Sequence, residues 1–265
     1  MRSSREVWRH IHRGEAACEP APSARAIETD RLTIRYGSNV ALNGVSVTIP
    51  PGVLTVVAGP PGSGKTTLLK ALLCELSGDD GSVAIQQVPA RLWPAKKRTA
   101  CVFACPGAQL NPCPLLGSDL CQATSDENEP NWGDSAFLEA LELLGLTHLY
   151  GRTAASVCER DRLRLALAGT LGPFVAGAAS SGAHLWLDDP LDGIDRLHRH
   201  RLLEWLKRTA GERQTTLLTA TDDALAMSYA DYAILLSRGL LVAQGHPPQA
   251  LSADKLSRAF GSPAN

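Results

Sequence analysis

Aromatic side chains, long apolar runs and net charge are all scarce in this chain of 265 residues. Aromatic residues make up 5% of it, and 26 basic residues balance 27 acidic ones to a formal net charge of −1. A balanced charge with so few stacking rings argues against a nucleic-acid partner. No run of about 18 apolar residues occurs, which predicts that the chain does not span a membrane by itself. Residues 1–18 carry four arginines and no apolar stretch, so they do not resemble a secretory signal.

Paired cysteine spacing is also lacking. The seven cysteines are odd in number and predict a reducing compartment rather than a disulfide framework. Four of them cluster, at Cys101, Cys105, Cys113 and Cys121. Their spacing matches no standard zinc or iron–sulfur pattern, so buried or incidental thiols are favoured over metal ligands.

Strand and helix patterns divide the chain into a short lead-in and one large domain with an insertion. Residues 1–26 are mixed in charge and then rich in Ala, Pro and Ser, which predicts a disordered lead-in. Residues 27–261 alternate strand and helix patterns, as expected for a mainly parallel α/β sheet with crossover helices. Helical patterns dominate about residues 104–171, which predicts an inserted helical subdomain.

The most specific local signal is a glycine-rich loop that matches the P-loop pattern in full, with the sequence Gly59-Pro60-Pro61-Gly62-Ser63-Gly64-Lys65-Thr66. It follows an apolar run over 53–58 that predicts a strand buried on both faces, and it opens a helix pattern over 65–76. In that context Lys65 reaches the β- and γ-phosphates, Thr66 ligates Mg²⁺ and Thr67 adds an N–H donor. The alternative is a chance glycine-rich loop, which would not be expected to follow a buried strand and open a helix.

A second acidic motif lies downstream of the loop. The apolar run 185–187 ends in Asp188 and Asp189, and a strand that closes on acidic residues after a P-loop is the Walker B arrangement. We predict that Asp188 holds Mg²⁺ through water and that Asp189 orients the attacking water. The alternative is a pair that caps a helix N-terminus.

These motifs and their spacing resemble the nucleotide-binding subunit of ABC transporters over about residues 27–261. The resemblance implies a P-loop NTPase sheet with N-terminal antiparallel strands, and an ATPase that uses ATP and Mg²⁺. It implies that Tyr36 stacks on adenine, where the alternative is an ordinary tyrosine at a strand end, and that Asp195 lies in the D-loop. Within the family, residues 102–110, 139–146 and 165–169 are similar to energy-coupling-factor importers.

Four positions depart from the family pattern. Ala104 stands at the Q-loop glutamine, Asp189 at the catalytic glutamate and Thr221 at the switch histidine. The signature Leu-Ser-Gly-Gly-Gln aligns with Val-Cys-Glu-Arg-Asp over 157–161, where two acidic side chains would repel a phosphate. The predicted catalytic residues are Lys65, Asp189 and Thr221, in a protein that binds nucleotide but hydrolyses it weakly by itself.

The resemblance also implies partners. It points to the ATP-binding subunit of an importer at the cytoplasmic face of a bacterial membrane, working with a separate integral membrane transporter subunit. Because each family site joins one chain's P-loop to another chain's signature, the degenerate signature predicts a heterodimer with a second ABC ATPase chain. The alternative is a regulatory module that binds nucleotide without hydrolysis. A GTPase is disfavoured, because no Asn-Lys-x-Asp motif occurs.

Overall fold

The computed structural model describes residues 27–74, 76, 78–92, 133–152, 156–177, 184–213, 215–219 and 223–261. Within these residues the strands form two sheets. The strands are β1 Ile27–Tyr36, β2 Asn39–Val45, β3 Thr48–Ile49, β4 Leu54–Ala58, β5 Asp80–Ile85, β6 Val88–Pro89, β7 His184–Leu187, β8 Thr215–Thr219, β9 Tyr232–Ser237 and β10 Leu240–Gly245. The α-helices are α1 Lys65–Leu72, α2 Gly133–Leu143, α3 Glu159–Val175, α4 Arg196–Arg213, α5 Ala224–Tyr229, α6 Pro247–Ala250 and α7 Ala253–Phe260.

The first sheet is antiparallel and comes from the N-terminal part of the described chain. Its order is β2-β1-β5-β6, and β3 pairs with β1. A tight turn at Gly37 joins β1 to β2 and sets Tyr36 opposite Asn39. The expected N-terminal antiparallel strands are therefore confirmed.

The second sheet is mainly parallel and carries the P-loop strand at its centre. Its order is β10-β9-β4-β8-β7, with only β10 antiparallel to its neighbour. Every residue of β4 is fully buried, as the apolar run predicts for a central parallel strand. Since parallel strands end at the same edge, the loops after β4 and β7 emerge on one side of the sheet.

Strand β4 separates two hydrophobic cores because successive side chains point to opposite faces. Leu54, Val56 and Ala58 belong to the core that contains α2, α3 and α4. Val57 belongs to the core beneath α1 and the antiparallel sheet, together with Trp186 of β7. The P-loop thus starts from a strand that is fixed on both faces.

Helix α1 is shorter than the pattern predicts. It ends at Leu72 rather than at residue 76, and Cys74 has a left-handed φ of 59° that ends the helical path. Of the predicted helical subdomain, α2 and α3 are described; they pack against each other, and their buried residues Phe137 and Leu165 belong to the same core. The expected bounds of the lead-in and the subdomain stay predictions, because residues 1–26 and 93–132 lie outside the described part.

Among the described residues, no helix has both the length and the apolar composition that a membrane crossing requires.

Candidate nucleotide-binding site

The P-loop is a close-packed turn between β4 and α1 that depends on glycine. A Cβ on Gly59 would overlap the Leu236 carbonyl oxygen and lie 2.6 Å from Ser63 Oγ. Gly64 has a φ of 102°, and a Cβ there would lie 2.7 Å from the Ala41 carbonyl oxygen. The backbone can therefore follow this path only without side chains at these positions.

Lys65 lies over the loop that it follows. Its side chain is buried, and Nζ donates to the carbonyl oxygens of Gly59 at 2.9 Å and Pro60 at 3.2 Å. Burial lowers the pKa of the Lys65 ammonium, whereas the carboxylates of Asp189 and Asp188 oppose that shift. The ammonium is thus held at the loop, where a phosphate oxygen can take the place of the carbonyl acceptors.

Ser63 is bonded through its backbone and not through its hydroxyl. Its N–H donates to the Pro60 carbonyl at 3.1 Å, and its carbonyl accepts the Gly239 N–H at 3.1 Å. Within the described structure its buried Oγ has no hydrogen-bond partner. An unsatisfied hydroxyl in a phosphate loop fits a ligand oxygen nearby.

The two acidic residues after β7 differ in exposure. Asp188 is 4% exposed, whereas Asp189 is exposed and has a left-handed φ of 44°. Partial burial and the neighbouring charge of Asp188 raise the pKa of the Asp189 carboxyl, and Lys65 opposes this. Two carboxylates beside a P-loop lysine are a donor set that suits Mg²⁺.

The alternative that these acids cap a helix is not supported. Helix α4 begins at Arg196, well after the pair. Its first amides are bonded by Asp195, whose Oδ1 accepts the N–H groups of Leu197 at 3.0 Å and His198 at 3.2 Å. Asp195 Oδ2 also lies 2.6 Å from His198 Nδ1, and these bonds lower the pKa of Asp195.

One pocket of about 820 Å³ joins most of the predicted nucleotide residues. This size lies within the range of roughly 300–1,000 Å³ that is typical of small-molecule sites. It is lined by Tyr36, Asn39, Val40, Ala41, Pro61, Gly62, Ser63, Gly64, Lys65, Thr66, Thr67, Asp189 and Arg238. Tyr36, the phosphate loop and Asp189 therefore border one space, which fits a nucleotide with its metal ion.

Some sequence-predicted residues are not in this lining. Gly59 and Pro60 form the base of the loop, and Asp188 is buried at the end of β7. Thr221, Ala104 and the cysteine cluster lie outside the described residues. Their predicted roles stay predictions.

Four lining residues were missed by the sequence motifs: Asn39, Val40, Ala41 and Arg238. The first three follow Tyr36 across its hairpin, so the register of that hairpin is the signal that could have found them. Arg238 is in the turn between β9 and β10, and no local signal links it to the P-loop.

Residues 157–161, which align with the family signature, span the start of helix α3, and the Asp161 carboxylate among them has two side-chain partners. Glu159 is the first residue of α3, and Cys158 precedes it with Sγ 3.3 Å from Asp161 Oδ2. Arg164 pairs with Asp161 at 3.1 Å, which neutralises one of the two acids expected to repel phosphate. In the described structure this run is not part of the pocket lining.

Sequence comparison identifies relatives along most of the chain. The profile of the ABC transporter family matches residues 42–175. The hemin import ATP-binding protein HmuV of Pseudomonas fluorescens is 30% identical over 246 residues, covering 89% of this chain and 92% of that protein. HmuV of Vibrio cholerae is 29% identical over 242 residues, covering 89% and 91%.

Solved structures share the fold at lower identity. The structure of cbiO1 from Clostridium perfringens, part of the ABC transporter complex cbiONQ, matches with a TM-score of 0.65 at 22% identity, over 88% of this chain and 92% of that one. An ATP binding subunit of an ABC transporter matches with a TM-score of 0.70 at 19% identity, over 84% and 90%. These matches confirm the expected fold. With the family profile spanning half of the sequence, the chain belongs to the ABC transporter family, as one of its ATP-binding subunits.

Proposed function

We propose that this chain binds Mg-ATP in the pocket around the P-loop and serves an importer. Lys65 holds the β- and γ-phosphates, Thr66 and Asp188 hold Mg²⁺, and Tyr36 stacks on adenine. The observation that carries the proposal is the shared pocket of Tyr36, the P-loop and Asp189. When bound, Mg²⁺ would neutralise negative charge on the phosphates.

The importer assignment is supported by the named relatives. Both HmuV proteins are described as hemin import ATP-binding proteins, and cbiO1 is part of a transporter complex. We propose that this chain likewise works at the cytoplasmic face of a membrane, against a separate membrane transporter subunit. The sequence of this chain does not indicate which compound is transported.

We further propose that the chain is the degenerate member of a heterodimeric ATPase pair. Asp189 is one methylene shorter than the family glutamate, and a displacement of about 1 Å alone can lower a rate on the order of 100-fold. Glu159 and Arg160 occupy the first turn of α3, where the family has glycines. A second ABC ATPase chain with an intact signature and glutamate supplies what this chain lacks.

The second candidate is a regulatory module that binds nucleotide and does not hydrolyse it. The substitutions at Ala104, Asp189, Thr221 and the signature run favour it. The two candidates differ in one observable, which is turnover in the presence of the partner ATPase chain.

The experiment measures Mg-ATP binding and turnover of the purified chain in one sample. Lys65→Ala is expected to abolish binding. The matched control is Lys70→Ala, which makes the same change on the same helix outside the pocket lining and is expected to bind normally. Equal binding by wild type and Lys65→Ala would contradict the proposed site.

Turnover then separates the hypotheses. Binding with almost no turnover supports a degenerate chain, and copurification with an ABC ATPase that restores turnover supports the pair. Binding with no turnover even in that complex supports the regulatory module. Robust turnover by the isolated chain contradicts both the heterodimer and the regulatory-module hypotheses, because each assumes a degenerate site.

A further inference from the structure

Arg238 occupies a backbone position that arginine rarely adopts. It forms the two-residue turn between β9 and β10 together with Gly239, and the two residues have φ values of 50° and 74°. Hairpin turns with two left-handed residues strongly prefer Asn-Gly or Asp-Gly. A bulky residue in such a conformation is an outlier that invites a functional explanation.

The turn is fixed against two walls of the nucleotide pocket. The Gly239 N–H donates to the Ser63 carbonyl in the P-loop at 3.1 Å, and its carbonyl accepts the Asn43 N–H from β2 at 2.9 Å. A Cβ on Gly239 would lie 2.7 Å from the Ala41 carbonyl oxygen, so the turn packs tightly. Arg238 is therefore held at the seam between β2 and the P-loop.

Arg238 is one of two cationic residues in the pocket lining. Lys65 and Arg238 are the basic residues of the lining, and Asp189 is its acidic residue. Lys65 is already bonded to carbonyl oxygens of the loop. In the part of the chain that the structure describes, no carboxylate forms an ion pair with Arg238. Its guanidinium is thus available to an anion in the pocket.

We propose that Arg238 binds the α-phosphate of the nucleotide, as a second cation beside Lys65. The turn that holds it packs against Ala41, on the hairpin that carries Tyr36 at the adenine end, and bonds to Ser63 in the P-loop, at the β- and γ-phosphate end. The α-phosphate is the charged group between these ends. The inference rests on the proposed nucleotide binding and adds a residue that no P-loop or Walker motif specifies.

The test is titration of the full chain with Mg-ATP and with Mg-ADP. Arg238→Asn removes the charge and introduces a residue that the turn favours, so we expect unchanged or higher thermal stability. Charged hydrogen bonds to phosphate are stronger than neutral ones, and this one is partly screened at an exposed side chain. We expect both nucleotides to bind about three- to tenfold more weakly, and by equal factors, since both carry the α-phosphate.

The matched control is Arg31→Asn. Arg31 also has a left-handed φ, of 44°, but its side chain is 81% exposed and lies outside the pocket lining. We expect its nucleotide affinity to equal that of wild type, and Arg238→Lys to recover most of the lost affinity.

Each outcome decides the inference. Affinity of Arg238→Asn within about twofold of wild type overturns it. A loss confined to Mg-ATP also overturns it, because that result would place Arg238 at the γ-phosphate. If the wild type binds no nucleotide at all, the proposed function itself fails. If the wild type and Arg238→Asn bind nucleotide equally well and Lys65→Ala does not bind it, only the role of Arg238 fails.

Discussion

The Arg160 side chain lies across Gly193. A Cβ on Gly193 would be 3.0 Å from both Cγ and Cδ of Arg160. Arg160 belongs to the first turn of α3, and Gly193 lies in the loop between Asp189 and α4. The contact therefore joins the run aligned with the family signature to the loop that follows the acidic pair.

Gly193→Ala tests this contact. Gly193 has a φ of 72°, so alanine adds backbone strain as well as a methyl group against Arg160. We expect a loss of about 2–3 kcal/mol in the free energy of unfolding, measured by urea denaturation. The matched control is Gly177→Ala, with a φ of 68° and nothing within 4 Å, which should lose only about 1–2 kcal/mol. Equal losses in the two variants would show that the contact with Arg160 does not affect the free energy of unfolding.

Asp189→Asn is expected to stabilise the protein at neutral pH in the absence of Mg²⁺. Folding raises the pKa of Asp189, through burial and then the charge of Asp188. Because the pKa of Asp189 is higher in the folded state than in the unfolded state, the protonated carboxyl favours folding relative to the ionised one. This stability is fully present below the unfolded pKa and is lost as pH rises through the folded pKa, whereas asparagine does not ionise. The gain in melting temperature should therefore be small near pH 3 and grow toward about pH 7.

Asp192→Asn is expected to raise the melting temperature less than Asp189→Asn does. It removes only the repulsion between Asp192 and Asp189, which contributes less to the raised pKa of Asp189 than burial or Asp188 does. A difference between wild type and Asp189→Asn that stays constant with pH would assign the gain to the left-handed backbone, which asparagine favours, rather than to charge.

Gly59→Ala is expected to disrupt the P-loop. The added Cβ would overlap the Leu236 carbonyl oxygen, and backbone cannot yield as a flexible side chain does. Because overlap with backbone adds to the strain of the glycine-only conformation, we expect a loss of about 3–5 kcal/mol in unfolding free energy, from urea denaturation, together with loss of Mg-ATP binding. Gly62→Ala, with a φ of 75° and nothing within 4 Å, is the stability control and should cost about 1–2 kcal/mol. A Gly59→Ala protein as stable as Gly62→Ala would contradict this packing.

Tyr36→Ala is expected to weaken Mg-ATP binding without affecting the fold. Base stacking on an aromatic ring contributes about 1–3 kcal/mol, so we expect at least fivefold weaker binding by titration. The ring is 49% exposed, and its loss removes little core packing. Tyr36→Trp should retain affinity, and Tyr150→Ala, at a ring that is 40% exposed and outside the pocket lining, should bind normally. Normal binding by Tyr36→Ala would place adenine elsewhere.

The phosphate loop could be predicted because its requirements are local. The Gly59–Thr66 run, the apolar strand before it and the helix after it are contiguous, and each has a sequence signature of its own. The end of α1 at Leu72 could not be read in the same way. The periodic pattern continues to residue 76, and the left-handed Cys74 becomes visible only in the folded backbone.

The P-loop motif, the acidic pair after β7 and the family fold could be predicted from residues that are neighbours along the chain. The pocket that Arg238 shares with Tyr36, about 200 residues away, depends instead on the folded sheet, since parallel pairing of β9 with β4 carries the last hairpin to the P-loop. Only the structure sets Arg160 on Gly193. This contact arises from how helix α3 packs against a distant loop, and no local pattern of residue types records it. The Asp161–Arg164 pair, in contrast, follows from i,i+3 spacing on one helix.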